Sequence, residues 1–469
     1  MREYRSLSLW LDRLPDAIEP RPALGGDIDV DVVIIGGGFS GLWTAYYLSN
    51  RAPELNIVIV EREICGFGAS GRNGGWCEGE LAASVEKYAK HGSMADAMRL
   101  IRAMHGAVDE VGRVADAEGI DCGFTKGGAV YLARNAAQEK RLIKSVEHEH
   151  SLGFSDEDIR LLSAQETTAR VNATNVRRGA FFAHNAAIDP APLVRGLADA
   201  VERRGVTIYE HTAANTIDAG VVTTPHGVVR APIVVRATEG YTSELPGEKR
   251  SMVPLYSLMV ATEPLSRAQL DVVGLNDRPT FADGRYAVIY GQRTADDRIA
   301  FGGRGVPYLF GSRIDPATEL HEPTHELVAD TLVELFPVLA DVAITHRWGG
   351  VLGAPRHWTP SVNFDRVSGM AHLGGYVGEG VCASNLAGQT LAELITASID
   401  PAEASRKASS VNTDLTTLPW VNVGVRKWEP EPLRWLGVWG TRRVMQRADG
   451  VEYSSDKTSK AGALASRLL

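Results

Sequence analysis

The stretch DVDVVIIGGGFSGLWTAYYL, Asp29 to Leu48, constrains the fold of this chain more than any other. Val30 to Ile35 is almost fully apolar and β-branched, the composition of a strand buried on both faces. Gly36, Gly38 and Gly41 then give G-x-G-x-x-G, and Leu42, Ala45 and Leu48 recur on one helical face. NIVIVE follows, a second buried strand ending at Glu61, 20 residues after Gly41. A β-α-β unit with an acid at that distance is the dinucleotide fingerprint. Gly36 lets the chain turn, Gly38 lets a pyrophosphate approach the backbone, and Gly41 lets the helix pack on the strand. The helix start at Phe39 and Ser40 offers N–H groups and a positive dipole end to the phosphates. Glu61, followed by Arg62, accepts from the adenosine ribose hydroxyls, and a carboxylate there disfavours the 2′-phosphate of NADP.

NAD and FAD both use this unit. An NAD enzyme continues with regular β-α repeats, whereas this chain enters GFGASGRNGG. In that loop Gly68, Gly71, Gly74 and Gly75 let the backbone approach pyrophosphate and ring, Ser70 is expected to donate to a phosphate oxygen, and Ala69 is a further expected cofactor contact. Arg72 is expected to offer charge-assisted donors to the cofactor, and Asn73 to bond cofactor or loop. A second glycine loop, GGYVGEGV, feeds another helix start about 340 residues later and brings in Gly375, Val377, Gly378, Glu379, Gly380 and Val381. A helix N-terminus there can stabilise the negative charge of a reduced flavin. Ala214, Ala237 and Gly353 are the small residues expected beside it. Two such sites in one chain favour FAD over an NAD-dependent dehydrogenase.

At 469 residues, two domains are the natural expectation. A net charge of −9 argues against nucleic acid and anionic membranes. No apolar run reaches the length of a membrane helix, and the first 20 residues carry no signal-peptide profile. A cytoplasmic protein is expected. Cys65, Cys77, Cys122 and Cys382 form no CxxC pair and no metal cluster, so reduced thiols and no metal are expected.

The stretches VVIIGGGFSGLWTAYYL, GFGASGRNGG, IDPAPLVRGLA, YEHT, VPLYSLMVATEPL, FGGRG, RWGGVLG and GGYVGEGV occur in one collinear order across roughly residues 8 to 445. In them the chain resembles the FAD-dependent amine and amino-acid oxidoreductases of the D-amino acid oxidase superfamily, nearest the gamma-glutamylputrescine oxidase type. The resemblance implies an α/β fold with an α+β second domain: a Rossmann-like FAD-binding domain (28–105, 183–245 and 345–405) and a discontinuous antiparallel-sheet substrate domain (106–182 and 246–344). Residues 406–469 are expected to form a helical segment packing on the FAD domain. A hairpin is expected around Thr294–Asp297.

The implied reaction is oxidation of an amine C–N bond by hydride transfer to flavin N5, giving an imine that hydrolyses to a carbonyl. Oxygen is the expected acceptor and another electron carrier the alternative. Tyr256, Arg347, Trp348 and Glu379 are the candidate substrate-side residues. An amino acid or N-methyl amino acid is the rival substrate, for which Arg285, Arg293, Arg304 or Arg347 would bind the carboxylate. The chain departs from the family pattern twice. It has Gly378-Glu379-Gly380 where G-x-x-G-His-G is usual, and Ala237-Thr238-Glu239 where Ala-Thr-Asn is common. It also lacks the cysteine near VLGAPRH that some relatives bond to flavin, so FAD is expected to be non-covalent.

Overall fold

The computed structural model describes residues 3–303, 308–399 and 414–468. The runs VVII (Val32–Ile35) and IVIV (Ile57–Val60) pair in parallel, and every residue in both is buried. They are the fourth and fifth strands of a six-stranded sheet in the order Ser361–Phe364, Met370–Gly374, Ile233–Arg236, Val32–Ile35, Ile57–Val60, Thr207–Tyr209. All neighbours are parallel except the first pair. Parallel neighbours need a crossover, and the helix Phe39–Arg51 carries the chain from Val32–Ile35 to Ile57–Val60. Side chains alternate between faces with period two. Val32, Ile34, Ile57 and Ile59 pack into the helical core, whereas Val33, Ile35, Val58 and Val60 pack on a small four-stranded sheet with Val222 and Val229. The first strands are thus apolar throughout because both faces are covered.

A second, eight-stranded sheet runs Ile344–Pro355, Met252–Thr262, Ile299–Gly303, Ile289–Arg293, Thr280–Asp283, Ala129–Ala133, Arg178–Phe182, Ile159–Leu162. It is antiparallel apart from the pairing of Thr280–Asp283 with Ala129–Ala133. The hairpin around Thr294–Asp297 is present, with Asp297 at φ 67°. The helix Glu322–Leu335 covers this sheet through Val328, Leu332 and Leu335.

Three boundaries differ from those drawn on the sequence. The strand Ile344–Pro355 pairs along its length with Met252–Thr262, so the second sheet runs past residue 345. The amphipathic helix Met94–Ala117 crosses the boundary at 105 and packs Ala97, Leu100, Met104, Val108 and Val114 into the core of the nucleotide-binding lobe. The C-terminal segment divides. Trp420 enters the core of that lobe, but the helix Leu433–Ser455 lies on the second sheet. There Glu452 pairs with Arg141 at 2.6 Å, and Asp449 accepts from the backbone N–H groups of Tyr286 and Ala287. Residues 400–413, which span the expected boundary at 405, lie outside the described residues.

Candidate active site

The turn after Val32–Ile35 works by backbone contact. Gly36 has φ +111°, and a Cβ there would sit 2.6 Å from the Ala237 carbonyl oxygen. Gly41 lies against the Gly36 carbonyl, where a Cβ would come to 2.1 Å. Gly38 caps the helix Phe39–Arg51 without a side-chain hydrogen bond, and the Phe39 N–H donates to Ser70 Oγ at 2.9 Å. The Glu61 carboxylate accepts from the N–H groups of Gly37 (2.7 Å) and Glu63 (2.9 Å). A second helix, Gly380–Ile399, starts beside the first. The two cross at Gly388, where a Cβ would lie 2.7 Å from Trp43 Cβ and 2.8 Å from Thr44 N. Near their N-termini Ser40 Oγ and the Tyr376 hydroxyl are hydrogen-bonded at 2.9 Å.

These elements open on a cavity of about 690 Å³ between the two large sheets. Of the residues expected at a cofactor, Gly36, Gly38, Phe39, Ser40, Glu61, Arg62, Gly68, Ala69, Ser70, Arg72, Asn73, Gly74, Ala214, Ala237, Gly378, Glu379, Gly380 and Val381 line it. Gly41, Gly75, Gly353, Gly375 and Val377 do not. Gly75, at φ +71°, lies against Gln292 and the Ile188 carbonyl. Gly353 and Gly375 donate their N–H groups to Glu239 at 3.3 and 2.7 Å, and Val377 occupies a turn at φ 57°.

Arg72 lines the cavity, and each nitrogen of its guanidinium is bonded to protein. Nε donates to the Phe67 carbonyl (2.7 Å), Nη1 to Glu319 (2.6 Å) and the Gly349 carbonyl (3.3 Å), and Nη2 to the Tyr241 hydroxyl (3.0 Å). The loop carries an arginine because that side chain ties it to the second sheet. Asn73 closes the loop on itself, donating to the carbonyls of Ala69 and Ser70 and accepting from the Gly75 N–H.

Three of the four substrate-side candidates lie outside the cavity lining. The Tyr256 hydroxyl is held in the protein by the Asp315 N–H at 2.8 Å, and burial pushes its pKa up to about 12. Trp348 is 2% exposed, donates Nε1–H to the Arg72 carbonyl at 2.8 Å, and packs edge-on against Trp10. Arg347, its neighbour on the opposite face of the strand, is exposed and donates to the Ile344 carbonyl. The same strand reaches the cavity slightly later, at Gly350, Val351 and Leu352. Glu379 alone of the four faces it. Arg285 and Arg293 are paired with Asp283 and Asp297, and Arg304 lies outside the described residues.

Part of the wall comes from residues outside the expected set. Trp76 and Tyr290 meet edge to face at 6.2 Å, and the Tyr290 hydroxyl lies 2.7 Å from Ser257 Oγ. Beside them the Tyr131 hydroxyl lies 2.6 Å from Glu78 Oε1 and 2.7 Å from Glu80 Oε2. Burial pushes the Glu78 carboxyl well above the usual carboxylate range, and the nearby Glu379 and Glu80 carboxylates push it further. Burial also raises Glu80, against the hydrogen bond from Tyr131. The strand Trp76–Glu78 ends at the first of these acids, and Glu80 follows it in the loop.

Comparison with known proteins agrees with this geometry. The chain is 32% identical to the gamma-glutamylputrescine oxidoreductase of Escherichia coli (strain K12) over 384 residues, 80% of this chain and 86% of that one. It is 28% identical to the probable oxidoreductase OrdL of Haemophilus influenzae, over 78% of this chain and 82% of that one. Glycine oxidase from Geobacillus kaustophilus shares the fold with a TM-score of 0.66 at 19% identity, over 78% of this chain and 95% of that one. L-proline dehydrogenase from P. horikoshii does so with a TM-score of 0.63 at 19% identity, over 81% and 94%. The family described as DAO, FAD dependent oxidoreductase, matches residues 31–394, from the first strand through the second glycine-loop helix, and the chain belongs to that family.

Proposed function

We propose that this protein oxidises a C–N bond of a cationic amine, with FAD held non-covalently in the cavity between the sheets. The residues present suit FAD. The Gly36–Gly38 turn offers bare backbone, Glu61 stands at the end of its strand, and two helix N-termini open on one cavity. No cysteine or histidine is among the described residues lining the cavity, which supports non-covalent binding. Bound there, FAD would supply the acceptor for a hydride leaving the carbon next to the nitrogen, with dioxygen as the proposed final acceptor of the two electrons and peroxide as its product. The imine left on the substrate takes up water to yield a carbonyl compound and an amine or ammonia.

The chain's own residues orient the substrate and exclude water. Trp76, Leu81, Tyr131 and Tyr290 wall the cavity. The observation that carries the amine reading is the charge of that wall. It holds Glu78, Glu80 and Glu379, while its only described cations, Arg62 and Arg72, are paired with Glu244 and Glu319. A substrate carboxylate finds no uncommitted described cation there; an ammonium finds carboxylates. Four unpaired cysteines support a reducing compartment such as the cytoplasm, and none of the described helices is long and apolar enough to cross a membrane.

The test is anaerobic mixing of the purified yellow protein with panels of amines, amino acids and N-methyl amino acids. Amines are expected to bleach the flavin, and readmitted air to yield peroxide. Bleaching by amino acids alone would reverse the substrate assignment. Acid precipitation is expected to leave a colourless pellet, whereas a yellow one means a covalent bond.

A further inference from the structure

Trp76, Glu78 and Glu80 follow one another at every second position, and all three line the cavity. The Tyr131 hydroxyl sits between the two carboxylates at 2.6 and 2.7 Å. One hydroxyl carries one proton and can donate to only one of them. The other contact then sets oxygen against oxygen unless a carboxyl is protonated or a cation enters. Glu379 brings a third carboxyl to the same wall. None of the three has an ion-pair partner among the described residues. An independent observation lies behind them. Asn185 pairs with Glu78 in the two-stranded ladder, so the two side chains share a face. Asn185 is fully buried, and neither its amide nitrogen nor its amide oxygen has a partner. The site is short of donors at the carboxylates and has an idle amide oxygen beside Glu78, which is what an ammonium with three N–H groups would complete.

The ammonium held there is not the reacting one. Hydride leaves a carbon next to a nitrogen that has a free lone pair, and a nest of carboxylates keeps a nitrogen protonated. Resting on the amine reading above, we propose that Glu78, Glu80, Glu379, Tyr131 and Asn185 form a subsite for a second, non-reacting ammonium group, so that the substrate is a diamine or longer polyamine oxidised away from this end.

The experiment compares 1,4-diaminobutane with butan-1-amine, and 1,6-diaminohexane with hexan-1-amine, on the FAD-loaded protein. Anaerobic flavin reduction gives kcat/KM, and thermal melting gives binding independently of turnover. The diamines are expected to exceed the monoamines by about tenfold or more in kcat/KM, mostly through KM, and to raise Tm further at equal concentration. Glu80→Gln is expected to lower the diamine-to-monoamine ratio by about tenfold. If that variant does not fold, Glu379→Gln, on the glycine loop, reads the same ratio. Equal kcat/KM and equal Tm shifts for the two classes would overturn the subsite and leave the amine reading standing. Bleaching by amino acids and by neither class of amine would overturn the amine reading itself. If no compound bleaches the flavin, the Tm comparison decides the subsite.

Discussion

Two charged residues at the cavity act chiefly on the protein around them. Arg72 is 2% exposed, and every nitrogen of its guanidinium has a protein acceptor, one of them Glu319. Breaking a buried pair of this kind is costly because it removes the cation facing a desolvated carboxylate. Arg72→Met is expected to cost about 3 kcal/mol in denaturant unfolding of the FAD-loaded protein. Arg72→Lys should recover less than half, since lysine lacks the planar fork that reaches four acceptor groups at once. An unchanged midpoint with lost flavin would instead make Arg72 a cofactor contact. Glu239 is the second case. Burial raises its carboxyl from 4.5 to about 7, against hydrogen bonds from the N–H groups of Gly375, Gly353 and Tyr376. A carboxyl whose pKa is higher folded than unfolded binds its proton more tightly when folded. Its contribution is therefore fully present below about 4.5 and is lost as pH rises through about 7. Between about pH 5 and 8 the stability of the wild type relative to Glu239→Gln should fall by on the order of 2 kcal/mol, after discounting for exposure to the cavity. Melting both proteins across that range checks it, and a pH-independent difference sinks it.

At the level of elements, the site depends on two helix N-termini being brought side by side, and the crossing at Gly388 does that. Alanine is favoured over glycine within a helix by about 1 kcal/mol. At Gly388, however, a Cβ would meet the backbone of the partner helix at 2.8 Å, and backbone yields little. Gly388→Ala is expected to destabilise by about 1 kcal/mol net and to weaken FAD retention, because both N-termini shift. Gly106, on the exposed side of Met94–Ala117 with nothing within 4 Å of its Cβ position, provides the control. There alanine should stabilise by up to about 1 kcal/mol. Equal effects at the two positions would show that the crossing tolerates a Cβ. The same elements show what a sequence carries. Gly36, Gly38, Gly41 and Glu61 were legible as one strand–turn–helix–strand unit because turn, helix start and acid lie within 26 residues of chain, where local geometry fixes the turn. Trp348 and Arg347 were not, because one step along a strand reverses the face and only the pairing of Ile344–Pro355 with Met252–Thr262 decides which side is buried. Glu78 and Tyr131 were missed for another reason. They lie 53 positions apart, and only the stacking of the glycine-loop strand on the second sheet makes them neighbours.

Across the whole molecule, the glycine loop belongs to one lobe by sequence and to both by bonding. Gln292 donates to the carbonyls of Gly74, Gly75 and Ile188 at 2.9 to 3.1 Å, and Trp348 donates to that of Arg72. Both donors come from the second sheet, and Arg72 returns the contact through Glu319 and Gly349. None of these bonds needs a ligand. The boundary drawn at residue 345 missed this coupling, because the strand Ile344–Pro355 builds the second sheet yet receives the loop of the first lobe. The cavity walls, by contrast, lose solvent contact only when something fills them. Stripping FAD should therefore lower the melting temperature without uncoupling the lobes. Binding at a free concentration about 100 times Kd adds about 2.7 kcal/mol. For a chain of 469 residues that corresponds to about 3 °C in Tm. Calorimetry of the stripped protein should show one transition, displaced downward and restored by added FAD. Two resolved transitions in the stripped protein, merging when FAD is added, would mean that the cofactor joins the lobes and that the Gln292, Trp348 and Arg72 contacts are too weak to do so.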